Sequence, residues 1–109
     1  MQRVGFLLKV KDDPETIARY KEHHRQVSPD MLDALHRHGW HNYSLFMRPD
    51  GLMFGYVEVA DSFQASLDGM SHEDANSRWQ AMMEPFFESP DGGRPDENMV
   101  EIEEVFHLD

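Results

Sequence analysis

A β-hairpin can be recognised near the middle of this chain of 109 residues. Residues 40–47 alternate in a strand-like way, and a second, largely apolar run follows at 52–60. The tetrapeptide between them, Arg48-Pro49-Asp50-Gly51, has the proline and glycine of a type I turn. We therefore expect the two runs to pair as antiparallel strands, which restricts the folds open to the segments on either side.

Helical segments precede the hairpin. Asp13-Pro14 has the N-cap and first-turn proline of a helix start, and the segment it opens is predicted to reach about Gln26. Ser28-Pro29 repeats this pattern, and apolar side chains then recur at helical spacing until Gly39, a natural residue to follow a helix. The region is thus predicted to form two helices or one broken helix.

Helical segments also follow the hairpin, over about residues 61–87, with N-caps predicted at Asp61-Ser62 and at Ser71, which with Asp74 resembles a capping box. Residues 89–98 are polar and rich in proline and glycine, which predicts a loop. Residues 99–108 are predicted to form a last strand that carries acidic side chains on one side.

The first strand is predicted at residues 3–10, where apolar side chains occur at both parities. The order is then β, αα, β, β, αα, β. This order predicts an α+β fold, the ferredoxin-like split βαβ arrangement, with helices on one face of an antiparallel sheet. We expect a single domain over residues 1–109. The other face of the sheet needs a cover, either a second copy in a homodimer or a ligand pocket.

The charge of the chain excludes two classes of partner. Its 10 Lys and Arg residues against 21 Asp and Glu give a formal net charge of −11, which repels nucleic-acid phosphates and anionic membranes. Cysteine is absent from the sequence, as is common in reducing compartments. The opening residues hold only a short apolar run, too short to span a bilayer. We therefore expect a cytoplasmic protein that binds neither nucleic acid nor membrane.

Tyr20 and His24 stand four residues apart in the first predicted helix, on one face and one turn from each other. His23 points about 100° away. An imidazole titrates near neutral pH, and beside a phenol on an apolar face it has the surroundings of a proton-transfer site. Spacing alone leaves a second interpretation open, in which His24 is a half-buried packing residue.

Tyr43, Trp79 and Gln80 are further candidates for contact with a ligand. Tyr43 alternates with apolar residues on one face of the second strand. Arg78-Trp79-Gln80 combines a cation, an indole and an amide, a set suited to stacking on a sugar or another small polar ring and hydrogen-bonding to it. For Tyr43 and Trp79, packing in the core is the alternative interpretation.

Imidazoles also cluster at His36, His38 and His41, which raises the question of a metal site. Residues two apart in a helix lie about 200° apart around its axis, so His36 and His38 cannot share one ion there. Basic side chains at a helix end are better interpreted as partners of its last carbonyls. No metal is predicted. His107 lines a pocket or is an ordinary strand residue, and the pattern does not decide between these.

Taken together at their separations, these residues resemble the L-rhamnose mutarotase family. The resemblance rests on Y-x-x-x-H at Tyr20 and His24, H-G-x-H-N-Y at 38–43, R-W at 78–79 and E-E-V-F-H-L at 103–108. It implies a small dimeric α/β barrel that interconverts the α and β anomers of L-rhamnose by acid–base ring opening and closure, without a cofactor.

The resemblance also implies residue roles. His24 is expected to be the proton donor, and the expected sugar-binding residues are Tyr20, Tyr43, Trp79 and Gln80. This chain departs from the family where Gln80 replaces a frequent second tryptophan, and where Ser28 replaces a tryptophan before the proline. Because neither change touches the expected acid, they bear on sugar preference more than on activity.

The sequence leaves several alternatives open. The partner base of His24 is either an acidic residue of the last strand or an ordered water. Three other functions also fit the pattern: anomer exchange of another deoxyhexose, oxidation of an aromatic compound by a small monooxygenase of similar fold, and sugar binding without catalysis.

Overall fold

The computed structural model describes residues 1–88, Pro95 and 98–109. The strands are β1 (Gln2–Lys9), β2 (Trp40–Met47), β3 (Leu52–Val59) and β4 (Val100–Ile102), and the helices are α1 (Pro14–His23), α2 (Pro29–Arg37), α3 (Phe63–Ser71) and α4 (Asp74–Met83). The sheet order is β2-β3-β1-β4 with antiparallel neighbours throughout. The predicted ferredoxin-like arrangement is therefore confirmed. None of the described helices has the length and apolar character needed to cross a bilayer.

The predicted hairpin is formed by β2 and β3. At its turn the backbone N–H of Gly51 donates to the carbonyl of Arg48 at 2.9 Å. Gly51 has a φ of 93°, and a Cβ there would lie 2.4 Å from the carbonyl oxygen of Val10. Glycine is needed at this turn because the backbone conformation and the close approach of Val10 both exclude a side chain.

One face of the sheet packs against the helices. Alternate residues of β1 and β3 point into this inner face, where Phe6, Met53 and Val57 are at most 1% exposed. Phe6 lies opposite Gly55 in the register and its ring occupies the space above that glycine. Phe63 of α3 stacks on Phe6 with ring centroids 5.3 Å apart. The inner face is thus the core of the molecule.

A β-bulge in β2 changes which side chains point inward. His41 pairs with Glu58 and Ser44 with Tyr56, so that two residues of β2, Asn42 and Tyr43, oppose one residue of β3. Asn42 takes a positive φ of 48°, as asparagine tolerates more readily than most residues. The bulge places both Trp40 and Tyr43 on the inner face, which strict alternation would have put on opposite faces.

The helix starts at Asp13 and Ser28 are confirmed, but α1 ends at His23 rather than near Gln26. The Asp13 carboxylate accepts from the backbone N–H of Thr16 at 3.0 Å, as expected of an N-cap. At the other end His24 is the C-cap of α1. Pro29 requires an extended residue before it, and Ser28 has a ψ of 146°. The chain must therefore leave the helix before the second one begins.

Two predictions about the second half of the chain are wrong. Ser71 ends α3, where its hydroxyl donates to the Asp68 carbonyl at 2.6 Å, and Glu73 takes the N-cap position of α4 instead. The last strand covers only Val100–Ile102 instead of 99–108. It pairs with Gly5–Leu7 of β1 and the pairing stops there. Most of the predicted loop at 89–98 lies outside the described residues.

The strand stops early where its side chains lack neighbours. Val105, Phe106 and Leu108 are 86, 78 and 80% exposed, so they bury little apolar surface against the part of the chain that the structure describes. A strand edge without packed side chains contributes little stability.

Candidate active site

A cavity of about 300 Å³ lies between the inner face of the sheet and the helices. Most of its lining is aliphatic, thioether or aromatic carbon. Among the described residues, the polar side chains in the lining are Tyr20, His24, Tyr43, Asn76 and Gln80. A mostly apolar cavity with a few convergent polar groups has the character of a small-molecule site.

His24 is held at the cavity wall by the end of α1. Its Nδ1 lies 2.9 Å from the backbone carbonyl of Tyr20, one helical turn earlier. Because a carbonyl oxygen only accepts, Nδ1 carries the proton in this hydrogen bond. In the neutral ring Nε2 is then the acceptor nitrogen. Nδ1 of the imidazole is thus a fixed hydrogen-bond donor, and Nε2, which does not take part in that hydrogen bond, is the nitrogen that can exchange a proton.

Burial lowers the pKa of His24 below its ordinary value near 6.5. The hydrogen bond to Tyr20 raises the pKa in part, and the neighbouring His23 lowers it again. A depressed pKa keeps the imidazole neutral at pH 7. The resting form of His24 is therefore a base.

Aromatic rings surround the imidazole. The ring of Tyr20 lies 4.1 Å from that of His24, centroid to centroid, and the indole of Trp79 meets His24 edge-on at 5.0 Å and 83°. Phe87 packs edge-on against Tyr20 at 5.5 Å. These contacts restrict the rotation of His24 and shield it partly from water.

The two tyrosine hydroxyls remain protonated. Burial raises the pKa of Tyr20, and the nearby Tyr43 raises it further. Burial likewise raises the pKa of Tyr43. As neutral hydroxyls, both can donate one hydrogen bond and accept others. They suit the hydroxyl groups of a sugar better than a charged ligand.

The five residues that the sequence singled out meet in this cavity, at Tyr20, His24, Tyr43, Trp79 and Gln80. Arg78 does not join them, since it faces α2 in an exposed ion pair with Asp30, 2.6 Å between Nη2 and Oδ2. A helix turns about 100° per residue, so neighbours of Trp79 in sequence need not share its face.

Trp40 and Asn76 also line the cavity, and sequence reasoning did not identify either as a site residue. Asn76 stands three residues before Trp79 and four before Gln80, a helical spacing that could have identified it. Trp40 reaches the inner face only through the bulge, which the alternation did not predict. The indole N–H of Trp40 is buried and has no acceptor among the residues that the structure describes.

The other histidines lie outside the cavity lining. His23 contacts Phe86, with ring centroids 5.5 Å apart, and His107 forms an exposed contact with Asp109, 2.8 Å between Nε2 and Oδ1. In the described part of the chain no group of three or more His, Cys, Asp or Glu side chains could hold a metal ion.

The basic side chains of Arg37 and His38, at the end of α2, bind Glu73. The sequence pattern predicts instead that they pair with the last carbonyls of their own helix, and the structure differs from that prediction. The Glu73 carboxylate accepts from Arg37 at 3.0 Å and lies 2.6 Å from Nε2 of His38. These contacts lower the pKa of Glu73 to about 2. Because α2 and α4 both line the cavity, the cluster links two of its walls.

Comparison with known proteins gives one consistent family. The family model described as L-rhamnose mutarotase matches residues 3–108. The chain is 32% identical over 110 residues to the L-rhamnose mutarotase of Oceanobacillus iheyensis and 34% over 112 residues to that of Mannheimia succiniciproducens, with 100% of each chain covered. The fold is similar to the crystal structure of L-rhamnose mutarotase from Formosa agariphila, with a TM-score of 0.79, 22% identity and 100% of both chains covered.

Proposed function

This chain belongs to the L-rhamnose mutarotase family, and from this membership we propose that it is an isomerase that interconverts the α and β anomers of L-rhamnose. The observation that carries the proposal is His24, a neutral imidazole fixed through Nδ1 at the wall of a cavity of small-molecule size. Anomer exchange changes only the configuration at the anomeric carbon. It requires proton transfer and involves no net oxidation or reduction.

In the proposed reaction, Nε2 of His24 takes the proton of the anomeric hydroxyl. The bond between the anomeric carbon and the ring oxygen breaks as the anomeric C–O bond becomes a carbonyl. The imidazolium then gives its proton to the departing ring oxygen, which leaves a neutral histidine and an open-chain aldehyde. Rotation of the aldehyde exposes its other face, and the same transfers in reverse close the ring as the other anomer.

One imidazole suffices because both oxygens are bonded to the same carbon. No carboxylate lines the cavity among the described residues, so we do not assign a partner base to the acidic residues near the C-terminus. General acid–base assistance of this kind typically contributes about 10² to 10⁴ in rate. Such a factor matters for a reaction that also proceeds slowly in water.

The neighbouring residues position the sugar. We assign the hydroxyls of Tyr20 and Tyr43 to hydrogen bonds with the sugar hydroxyls, since both stay neutral. The indole of Trp79 offers a flat apolar surface for a ring face. The aliphatic and thioether lining suits the methyl group that distinguishes a 6-deoxy sugar from a hexose with a polar hydroxymethyl.

Saturation-transfer NMR on the anomeric protons of equilibrated L-rhamnose tests the proposal. Saturating one anomer should reduce the signal of the other when the parent protein is present. His24→Ala should remove this transfer, whereas the matched variant His23→Ala should keep it because His23 faces Phe86. Undiminished transfer with a folded His24→Ala protein would rule out His24 as the proton carrier. Absence of transfer with the parent protein would contradict the activity itself.

We further propose that the protein works as a homodimer joined through the outer face of the sheet. This face carries exposed aromatic side chains, with Phe46 61% and Phe54 40% exposed and their rings 6.4 Å apart. Val100 of β4 is 59% exposed, and the apolar residues Phe106 and Leu108 extend from the same edge strand. A second copy would cover this apolar surface.

A further inference from the structure

Two amide side chains lie next to each other in the otherwise apolar wall that α4 contributes to the cavity. Asn76 is 2% exposed and Gln80 is 7% exposed, and both line the cavity. They are four residues apart, on one face of the helix. Burying an amide is unfavourable unless its donors and acceptors are satisfied, so such a pair is held by specific hydrogen bonds.

The hydrogen bonds of this pair have a fixed direction. Nδ2 of Asn76 donates to the backbone carbonyl of Met70 at 3.1 Å. That carbonyl, in the last turn of α3, also accepts from the backbone N–H of Glu73 at 3.0 Å. Since a carbonyl cannot donate, the NH₂ end of Asn76 must face Met70. Its Oδ1 is thereby turned toward Gln80.

The orientation of the Asn76 amide in turn fixes that of the Gln80 amide. Nε2 of Gln80 donates to Oδ1 of Asn76 at 3.0 Å. If the Gln80 amide were reversed, two carbonyl oxygens would face each other. If both amides were reversed, Oδ1 of Asn76 would meet the Met70 carbonyl. The backbone of α3 therefore determines which end of the Gln80 amide faces Asn76 and which end faces away.

We propose that Asn76 is a positioning residue that holds the amide of Gln80 in one orientation, so that Gln80 recognises one ring hydroxyl of the sugar. The inference rests on the proposed function and extends it to substrate selection. An oriented amide distinguishes a hydroxyl from a hydrogen at one position. A tryptophan, frequent in the family at this position, would offer a stacking surface instead. The ligand class is thus a 6-deoxy pyranose that retains the hydroxyl facing α4.

Calorimetric titration with L-rhamnose and with its monodeoxy analogues, each lacking one ring hydroxyl, tests the inference. For the parent protein, the analogue that lacks the hydroxyl bound by Gln80 should bind about tenfold more weakly than L-rhamnose, the loss of about one hydrogen bond. This ratio should fall toward one in Gln80→Met and also in Asn76→Leu. The double variant should show no further change, because both substitutions remove the same contact. Ser77→Ala, an exposed neighbour on α4, is the control that should keep the ratio.

Asn76→Asp separates orientation from simple packing. A protonated aspartic acid can donate to Met70 and accept from Gln80 as asparagine does, whereas the ionised form repels the Met70 carbonyl. In Asn76→Asp the preference for L-rhamnose over the deoxy analogue should therefore return as the pH falls. In Asn76→Leu this preference should stay absent at every pH. The selectivity ratio is the informative quantity, because titration of His24 affects L-rhamnose and every analogue that keeps the anomeric hydroxyl alike.

Two results would overturn the inference. In one, Gln80→Met discriminates against every analogue as the parent does, while the parent still exchanges the anomers of L-rhamnose, which would leave the proposed function intact. In the other, Asn76→Leu weakens all sugars by the same factor, as expected of a residue that only packs. If the parent failed to bind L-rhamnose and to exchange its anomers, the proposed function would be contradicted. The inference, which rests on that function, would then fail with it.

Discussion

The carbonyl of Tyr20 accepts from Nδ1 of His24 at 2.9 Å and from the backbone N–H of the same histidine at 3.3 Å. The imidazole thus supplies a second donor to a carbonyl in the last turn of its own helix. This contact selects the tautomer without a second side chain. The proposed proton carrier is therefore oriented by backbone geometry, which a substitution of the Tyr20 side chain leaves in place.

The pH dependence of the reaction should follow the neutral form of His24. Burial lowers its pKa below 6.5, and the proposed step starts from an unprotonated Nε2. We expect kcat/KM for anomer exchange to rise with pH through the His24 pKa and to level off above that pKa, since this parameter reports the free enzyme. Saturation transfer measured from acidic to neutral pH provides the profile.

The control for this profile is the rate with His24→Ala at each pH, because acid and base also catalyse anomer exchange in water. An NMR titration of the His24 ring protons should give the same midpoint as the rate. If kcat/KM instead fell with rising pH through that midpoint, the imidazolium would be the form that starts the reaction.

Tyr20→Phe should weaken sugar binding without disturbing the base. The substitution removes the buried hydroxyl but keeps the ring against His24 and the carbonyl that orients Nδ1. We expect a roughly tenfold rise in the Kd for L-rhamnose, the effect of about one hydrogen bond, with little change in the His24 titration. Tyr56→Phe is the matched control, since that hydroxyl donates to Glu58 outside the cavity. Equal Kd values for the two variants would contradict the role of Tyr20.

Local patterns in the sequence predicted the parts of the fold that depend on neighbours in the chain. The turn at Gly51 and the cap at Asp13 are set by residues within one turn of each other, and the structure has both. The early end of β4 and the bulge at Asn42 depend on which strand lies alongside. Alternation within one segment carries no information about that neighbour, so neither could be predicted.

The same distinction applies to the candidate site. Tyr20 and His24 meet because they are one helical turn apart, while the family resemblance, rather than spacing, singled out the histidine for chemistry. Asn76 gains its significance from the Met70 carbonyl, in a different helix. Residue type and spacing within α4 gave no indication of that contact, which only the packing of α3 against α4 creates.

Gly55→Ala should destabilise the core. A Cβ at this position would lie 2.2 Å from Cζ of Phe6, which is fully buried. Since that ring cannot move without disturbing its neighbours, we expect a loss of about 1–3 kcal/mol in the free energy of unfolding, measured by urea denaturation. Gly5→Ala is the control in the adjacent strand, where the Cβ would lie 3.2 Å from the partly exposed ring of Phe54. Similar losses for both variants would contradict this account.

Phe54→Lys should weaken the proposed dimer. The Phe54 ring lies over Gly5 on the outer face, 40% exposed in one chain, and burying a charge there between two sheets would be strongly unfavourable. Sedimentation equilibrium of the parent should give twice the mass of one chain, and the variant should dissociate at a concentration at least about tenfold higher. Met82→Lys, on helix α4 and 44% exposed, should leave the mass unchanged. A monomeric parent, or a dimer that Met82→Lys dissociates and Phe54→Lys does not, would show that the outer face is not the interface.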